Sequence, residues 1–125
     1  MLNTKAKALI GLVVLGLICL SIIFKEYRKR EIADISFAFV EDLATYTSDN
    51  GKTLPRNWNE FVLWSSDHTS RHWEANELET RFAIPWGMKI SEVRQGPIIT
   101  VVDPRLKYLE KGINISFDRR FQENN

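Results

Sequence analysis

Few of the residue types that usually carry chemistry occur in this chain. It has one cysteine, Cys19, which lies inside an apolar run, so neither a disulfide framework nor a cysteine-based metal cluster can form. Histidine occurs only at His68 and His72, without an HExxH pattern. No glycine-rich loop is present to cradle a phosphate, no serine sits in a nucleophile elbow, and no paired carboxylates flank an obvious cleft. An excess of one charge is missing too. Lys and Arg number 17 against 16 Asp and Glu, for a net charge of +1, and the signs are interspersed. The one basic cluster, residues 25–30, is explained by membrane topology, so a nucleic-acid partner is not expected. No internal repeat or low-complexity tract is visible. These absences point away from an enzyme, and no cofactor, metal or small-molecule substrate is expected.

What the chain does have is an uninterrupted apolar stretch, Ala8–Phe24, with no charge and no proline. Its anchoring side chains are Leu9, Ile10, Leu12, Val13, Val14, Leu15, Leu17, Ile18, Leu20, Ile22, Ile23 and Phe24. A helix rising ~1.5 Å per residue over this stretch nearly matches the ~30 Å hydrocarbon core of a bilayer. Lys5 and Lys7 flank it on one side, and Lys25, Arg28, Lys29 and Arg30 on the other, where long cationic side chains reach headgroups. Ile18, not a small residue, precedes Cys19, which argues against lipidation. Phe24-Lys25-Glu26-Tyr27 lacks a small-x-small cleavage pattern. The expectation is an uncleaved, single-pass signal anchor, with the lipid bilayer as its first partner.

After the anchor, no glycine or proline occurs until Gly51. Ile32, Ile35, Phe39, Leu43 and Tyr46 recur at helical spacing, and Val40 and Ala44 widen the stripe. Arg30, Asp34, Glu41, Asp42 and Thr45 mark the opposite face. The span and the amphipathic segment therefore read as one helix of about forty residues, ~60 Å long, ended by Asp49-Asn50-Gly51. Ile32, Ile35, Phe39, Leu43 and Tyr46 are its expected packing contacts with a small head.

Within the head, Asn57 with Glu60 forms a capping-box-like start for a helix over 58–66, and a further short helix is predicted over 70–80 with Trp73 and Leu78 inward. Residues 82–84 and 88–90 read as an irregular edge strand interrupted by Pro85-Trp86-Gly87, and Gln95-Gly96-Pro97 as a turn. Ile98–Val102 is the best strand in the chain, and Ile113–Phe117 alternates as a last strand beyond Gly112. The predicted class is α+β: a long N-terminal helix and a head of short helices with about three antiparallel strands. The expected organisation is a basic leader (1–7), a transmembrane helix (8–24), an amphipathic helix (25–50), the head (51–121) and a disordered tail (122–125).

The candidate chemical residues are sparse. His68 and His72 would share a face if their stretch were helical, but no third metal ligand accompanies them. Asp49, Asp103 and Asp118 lack the dense oxygen-donor pattern of a calcium loop, and turn chemistry explains the first two better. Trp58, Trp64, Trp73 and Trp86 sit among apolar neighbours and read as core; Trp64, off the inner face of its helix, is the one candidate for contact. Asn114-Ile115-Ser116 fits the glycosylation pattern but lies in a predicted strand.

A basic leader, an apolar helix continuing into an amphipathic one, and a small α+β head together resemble the type IV pilins and the pseudopilins of type II secretion. Leu9-Ile10-Gly11-Leu12-Val13-Val14-Leu15 is similar to the family's apolar N-terminal signature. Tyr46, Asp49-Asn50-Gly51 and Pro55, followed by Trp58, resemble the end of the first helix in pseudopilins. The likeness covers roughly the first sixty residues. Gly11 stands where the family usually has a glutamate, thought to pair with a neighbour's N-terminal amine, and Ala6-Lys7 aligns with the usual Gly-Phe processing junction. A leader that stays on is therefore expected. The resemblance implies a non-enzymatic subunit of a secretion or pilus-type assembly in a bacterial inner membrane, with other membrane or pilin-like subunits as partners and the head on the periplasmic side. It also leaves room for calcium in the head, which some relatives hold. The heavier head-side cations, read alone, would keep the head in the cytoplasm, as in a bitopic adaptor that binds a partner protein without forming a filament.

Overall fold

Asn3 opens the first helix. Its side-chain oxygen accepts the backbone N–H of Ala6 at 2.8 Å, satisfying one of the donors that a helix start leaves free. The structure, a computed structural model, describes residues 3–93 and 96–125. Helix α1 then runs unbroken over Thr4–Asp49, so the leader residues from Thr4 onward belong to it. Asn50 stops it by binding the Tyr46 carbonyl through both its backbone N–H (3.0 Å) and its side-chain amide (2.8 Å). Gly51 follows at φ +69°, the left-handed conformation expected of the stop, and Lys52 adopts φ 60° as well.

The chain divides into two compact units, Met1–Ile35 and Ser36–Asn125. The described part of the first is helix from Thr4 onward. In the second, α1 residues Phe39, Val40, Leu43, Ala44 and Tyr46 are buried together with Leu54, Phe61, Leu78, Phe82, Ile99, Val101, Ile113 and Phe117. Phe39 is the hub of this core. Its ring lies 4.8 Å from Phe82 in a stack, 5.4 Å from Phe61 edge-on, and 5.7 and 5.9 Å from Trp58 and Trp73. Helix α2 (Trp58–His68) supplies Trp58 and Phe61, and Trp73 and Phe82 come from either side of α3 (Ala75–Arg81). Asn57 caps α2 by accepting from Glu60 N–H at 2.8 Å, while the Glu60 carboxylate is turned to the Tyr46 hydroxyl at 2.5 Å.

Among the described residues two strands form, each of two residues: β1 (Phe82–Ala83) and β2 (Thr100–Val101), antiparallel, with Phe82 opposite Val101. The predicted 88–90 stretch makes a separate bridge, Thr53 with Lys89, flanked by Leu54 N–H to Met88 O and Ile90 N–H to Lys52 O at 2.9 Å each. The predicted turn at Gln95-Gly96-Pro97 lies partly outside the described residues, at Gln95. The sheet therefore has two strands where about three were expected.

The missing strand, Ile113–Phe117, is helical. It belongs to α4 (Glu110–Asn124), entered from a 3₁₀ helix over Pro104–Leu109. The alternation of Ile113, Ile115 and Phe117 competes with the four-residue spacing of Leu109, Ile113 and Phe117, and the second wins. Those three are buried, while Ile115 is half exposed. Gly112 lies inside this helix: a Cβ there would sit 3.4 Å from the Phe37 ring, so the glycine lets α4 come close to α1. The residues read as a disordered tail continue α4 to Asn124, and the Asn125 side chain donates to Ser48 Oγ at 2.9 Å.

Candidate functional site

The apolar segment of α1 is bare. Leu9, Ile10, Leu12, Val13, Val14, Leu15, Leu17, Ile18, Leu20, Ile22, Ile23 and Phe24 are each between 49% and 67% exposed. Burying a large apolar side chain is worth about 1.5–3 kcal/mol, so covering this set is worth on the order of 20 kcal/mol. That exceeds the ~5–15 kcal/mol that hold a whole domain together. The helix is long and apolar enough to cross a membrane, and none of its apolar window is buried by the rest of the chain. Gly11 and Gly16 face open space, with nothing within 4 Å of a built Cβ.

Beyond the apolar run the helix surface turns cationic. Lys25, Arg28, Lys29 and Arg30 are exposed, and among the described residues no salt bridge engages them. The Arg28 guanidinium lies 5.1 Å from the centre of the Phe24 ring, a cation–π contact where the apolar run ends. Tyr27 is exposed beside them. This order, apolar, then aromatic and basic, is what a membrane–water boundary selects.

The stripe expected to pack on the head divides. Phe39, Leu43 and Tyr46 are buried, Ile32 is half-buried, and Ile35 is 37% exposed. Next to Ile35, Ser36 is fully buried. Asp42, placed by periodicity on the solvent face, is buried as well. Its Oδ1 accepts from Arg71 Nη1 at 2.8 Å and its Oδ2 from the Trp73 indole N–H at 2.9 Å. The buried arc of α1 at this level is therefore wider than the apolar stripe and takes in Asp42, while Glu41 stays exposed and Thr45 half-buried, and the amphipathic pattern could not place Asp42 inside. A buried carboxylate needs partners, and neither Arg71 nor Trp73 stands at a spacing that ties it to Asp42 in the sequence.

Tyr46 reports the same enclosure. Burial, then its hydrogen bond to Glu60 and that carboxylate's charge, push its hydroxyl up to about 12. Trp64, the candidate contact residue, is half-buried against the Tyr46 ring at 5.4 Å. The bare side chain on α2 is its neighbour Leu63, 69% exposed, which the helical pattern gave no reason to single out.

His68 and His72 do not form a site. His68 ends α2, stacked on Trp64 at 4.8 Å with Nδ1 on the Trp64 carbonyl, whereas His72 lies in the following loop. Asp103 caps the 3₁₀ helix and is held by Arg105, whose guanidinium keeps its carboxyl below the ordinary range. Among the described residues no group of three or more His, Cys, Asp or Glu side chains converges as a metal site would require. The hollows are shallow. One of about 280 Å³ lies between Arg56, Trp58, Glu79 and Trp86, and one of about 370 Å³ beside Asn114 and Asp118. Neither combines a nucleophile with a base.

No protein-family model, no curated protein and no solved structure matches this chain.

Proposed function

We propose that this chain is a non-enzymatic, single-pass membrane subunit of pseudopilin-like type, anchored by residues 8–24 and acting through lateral helix packing and contacts of its C-terminal unit. The observation that carries this reading is one helix with two opposite environments. Residues 9–24 of α1 are bare and apolar, and Phe39, Val40, Leu43, Ala44 and Tyr46 of the same helix are buried in an aromatic-rich core. Among the described residues nothing covers the first stretch, which suits it to lipid or to other apolar helices. The Tyr46, Asp49-Asn50-Gly51 and Pro55 pattern at the end of this helix supports the pseudopilin-like reading, with Gly51 in the left-handed turn. A bacterial inner membrane, a place in a type II secretion or pilus-type assembly, and a periplasmic head follow from that likeness.

A second reading rests on the uncovered cations Lys25, Arg28, Lys29 and Arg30, heavier than Lys5 and Lys7 on the other flank. It is a bitopic adaptor with a cytoplasmic head that binds a partner protein. Alkaline phosphatase fused after Asn125 separates the two, because the enzyme is active only outside the cytoplasm. Activity is the expected result, and an inactive fusion of full length would favour the adaptor. The intact mass of the membrane-extracted chain then tests assembly. A mature form beginning at Lys7 supports pilin-type processing, and a chain that keeps Met1 supports a plain signal anchor.

A further inference from the structure

Three of the cations that follow the apolar run form one face. Lys25, Arg28 and Lys29 stand three and four residues apart, so their side chains are neighbours on α1. At about 100° per residue they occupy roughly 100° of the helix surface, and Glu26 and Glu31 fall outside that arc, one on each side of it. All three cations are exposed, and among the described residues no salt bridge joins them to either acid. Arg30, two residues beyond Arg28, lies on the opposite side of the helix. On the other flank of the apolar run, Lys5 and Lys7 are two residues apart and do not face each other.

Arg28 sets the depth of this face. Its side chain turns back toward the apolar run, and the guanidinium lies 5.1 Å from the centre of the Phe24 ring. The contact with the ring leaves N–H donors of the guanidinium fork for an anion. Lys25 and Lys29 add two further positive charges beside it. We infer that Lys25, Arg28 and Lys29 bind one anionic phospholipid of the leaflet on the head side, with its phosphate on the Arg28 fork and its acyl chains against the apolar run. This rests on the membrane-anchored reading of residues 8–24. A lipid fits this face better than a free phosphate, because the guanidinium is held where the apolar run ends. An anionic headgroup fits better than a zwitterionic one. It neutralises the uncompensated charges without bringing a cation of its own among them.

Spin-labelled lipids test this on the full chain reconstituted in phosphatidylcholine bilayers, where electron paramagnetic resonance separates lipid immobilised on the protein from bulk lipid. Spin-labelled phosphatidylglycerol should be enriched at the protein several-fold over spin-labelled phosphatidylcholine at ~0.1 M salt. Arg28→Gln should lower that ratio, and adding Lys25→Gln and Lys29→Gln should bring it close to one. Arg30→Gln removes the same charge from the opposite side, about 3 Å further along the axis, and should leave most of the enrichment. Equal losses in Arg28→Gln and Arg30→Gln would overturn the inference, because they would mean diffuse attraction without a face. A ratio near one in the wild-type chain would overturn it too, while immobilised phosphatidylcholine in the same sample would still uphold the membrane span. Absence of any immobilised lipid would overturn the span and this face together.

Discussion

The indole of Trp73 donates to Asp42 at 2.9 Å, joining the loop before α3 to the buried side of α1 across 31 residues of chain. The other carboxylate oxygen holds Arg71, whose side chain is 46% exposed. With its Arg71 end half exposed, the ion pair contributes little by itself, about 1 kcal/mol or less. The cost lies in leaving buried polar groups without partners. Asp42→Asn, which keeps an acceptor for Trp73, should therefore lower stability by about 1 kcal/mol or less. Asp42→Leu should cost about 2–3 kcal/mol. Urea unfolding of the full chain in detergent, followed by tryptophan fluorescence, reads both.

Phe39 touches four aromatic rings and is fully buried. Phe39→Ala should cost about 3–5 kcal/mol, because a ring-sized cavity bounded by rigid side chains cannot collapse. Phe39→Asp should expose the core to protease. Equal protease resistance in wild type and Phe39→Asp would mean that Phe39 is not the hub of this unit.

The Tyr46 hydroxyl gives an alkaline signature. Its folded-state value of about 12 lies above the ordinary value of 10.0, so the unfolded chain loses this proton first as pH rises. The native state then binds more protons, and stability falls with pH between those values. The contribution is present below about pH 10 and disappears by about pH 12, with a size on the order of 2 kcal/mol. Tyr46→Phe should flatten that part of the pH–stability profile relative to wild type.

Glu110 acts at the other end of the scale. Its hydrogen bond to Lys107 holds its carboxyl below the ordinary carboxylate value. A lowered folded-state value means stability that is present above the unfolded value and is lost as pH falls through the folded one. Glu110→Gln should remove part of the acid-side loss seen in wild type, measured as melting temperature against pH below neutrality.

Legibility in the sequence followed how local each cause is. The apolar run, the unbroken helix to Asp49, the Gly51 stop and the Asn57 cap each rest on neighbours within a few residues, and each could be read directly. The strand expected over 113–117 failed because alternation and helical spacing both fit Ile113 and Phe117, and burial of Leu109 decided for the helix. Asp42 was misplaced because the buried arc of α1 extends beyond its apolar stripe, a fact set by residues 71 and 73. The two bonds between the Asn114 amide and the Ile99 backbone were invisible for the same reason. Asn114 was read as part of a strand, yet it serves the strand from outside.

The most direct test of the anchor asks where the chain goes when membranes from expressing cells are washed with alkaline carbonate. The expected result is that it stays in the membrane pellet. Leu15→Arg, which places a charge near the middle of the apolar run at a cost of about 2.5–3.5 kcal/mol of insertion, should shift a measurable fraction into the wash. Recovery of the wild-type chain in the wash as a folded, monodisperse protein would contradict the membrane-anchored account outright.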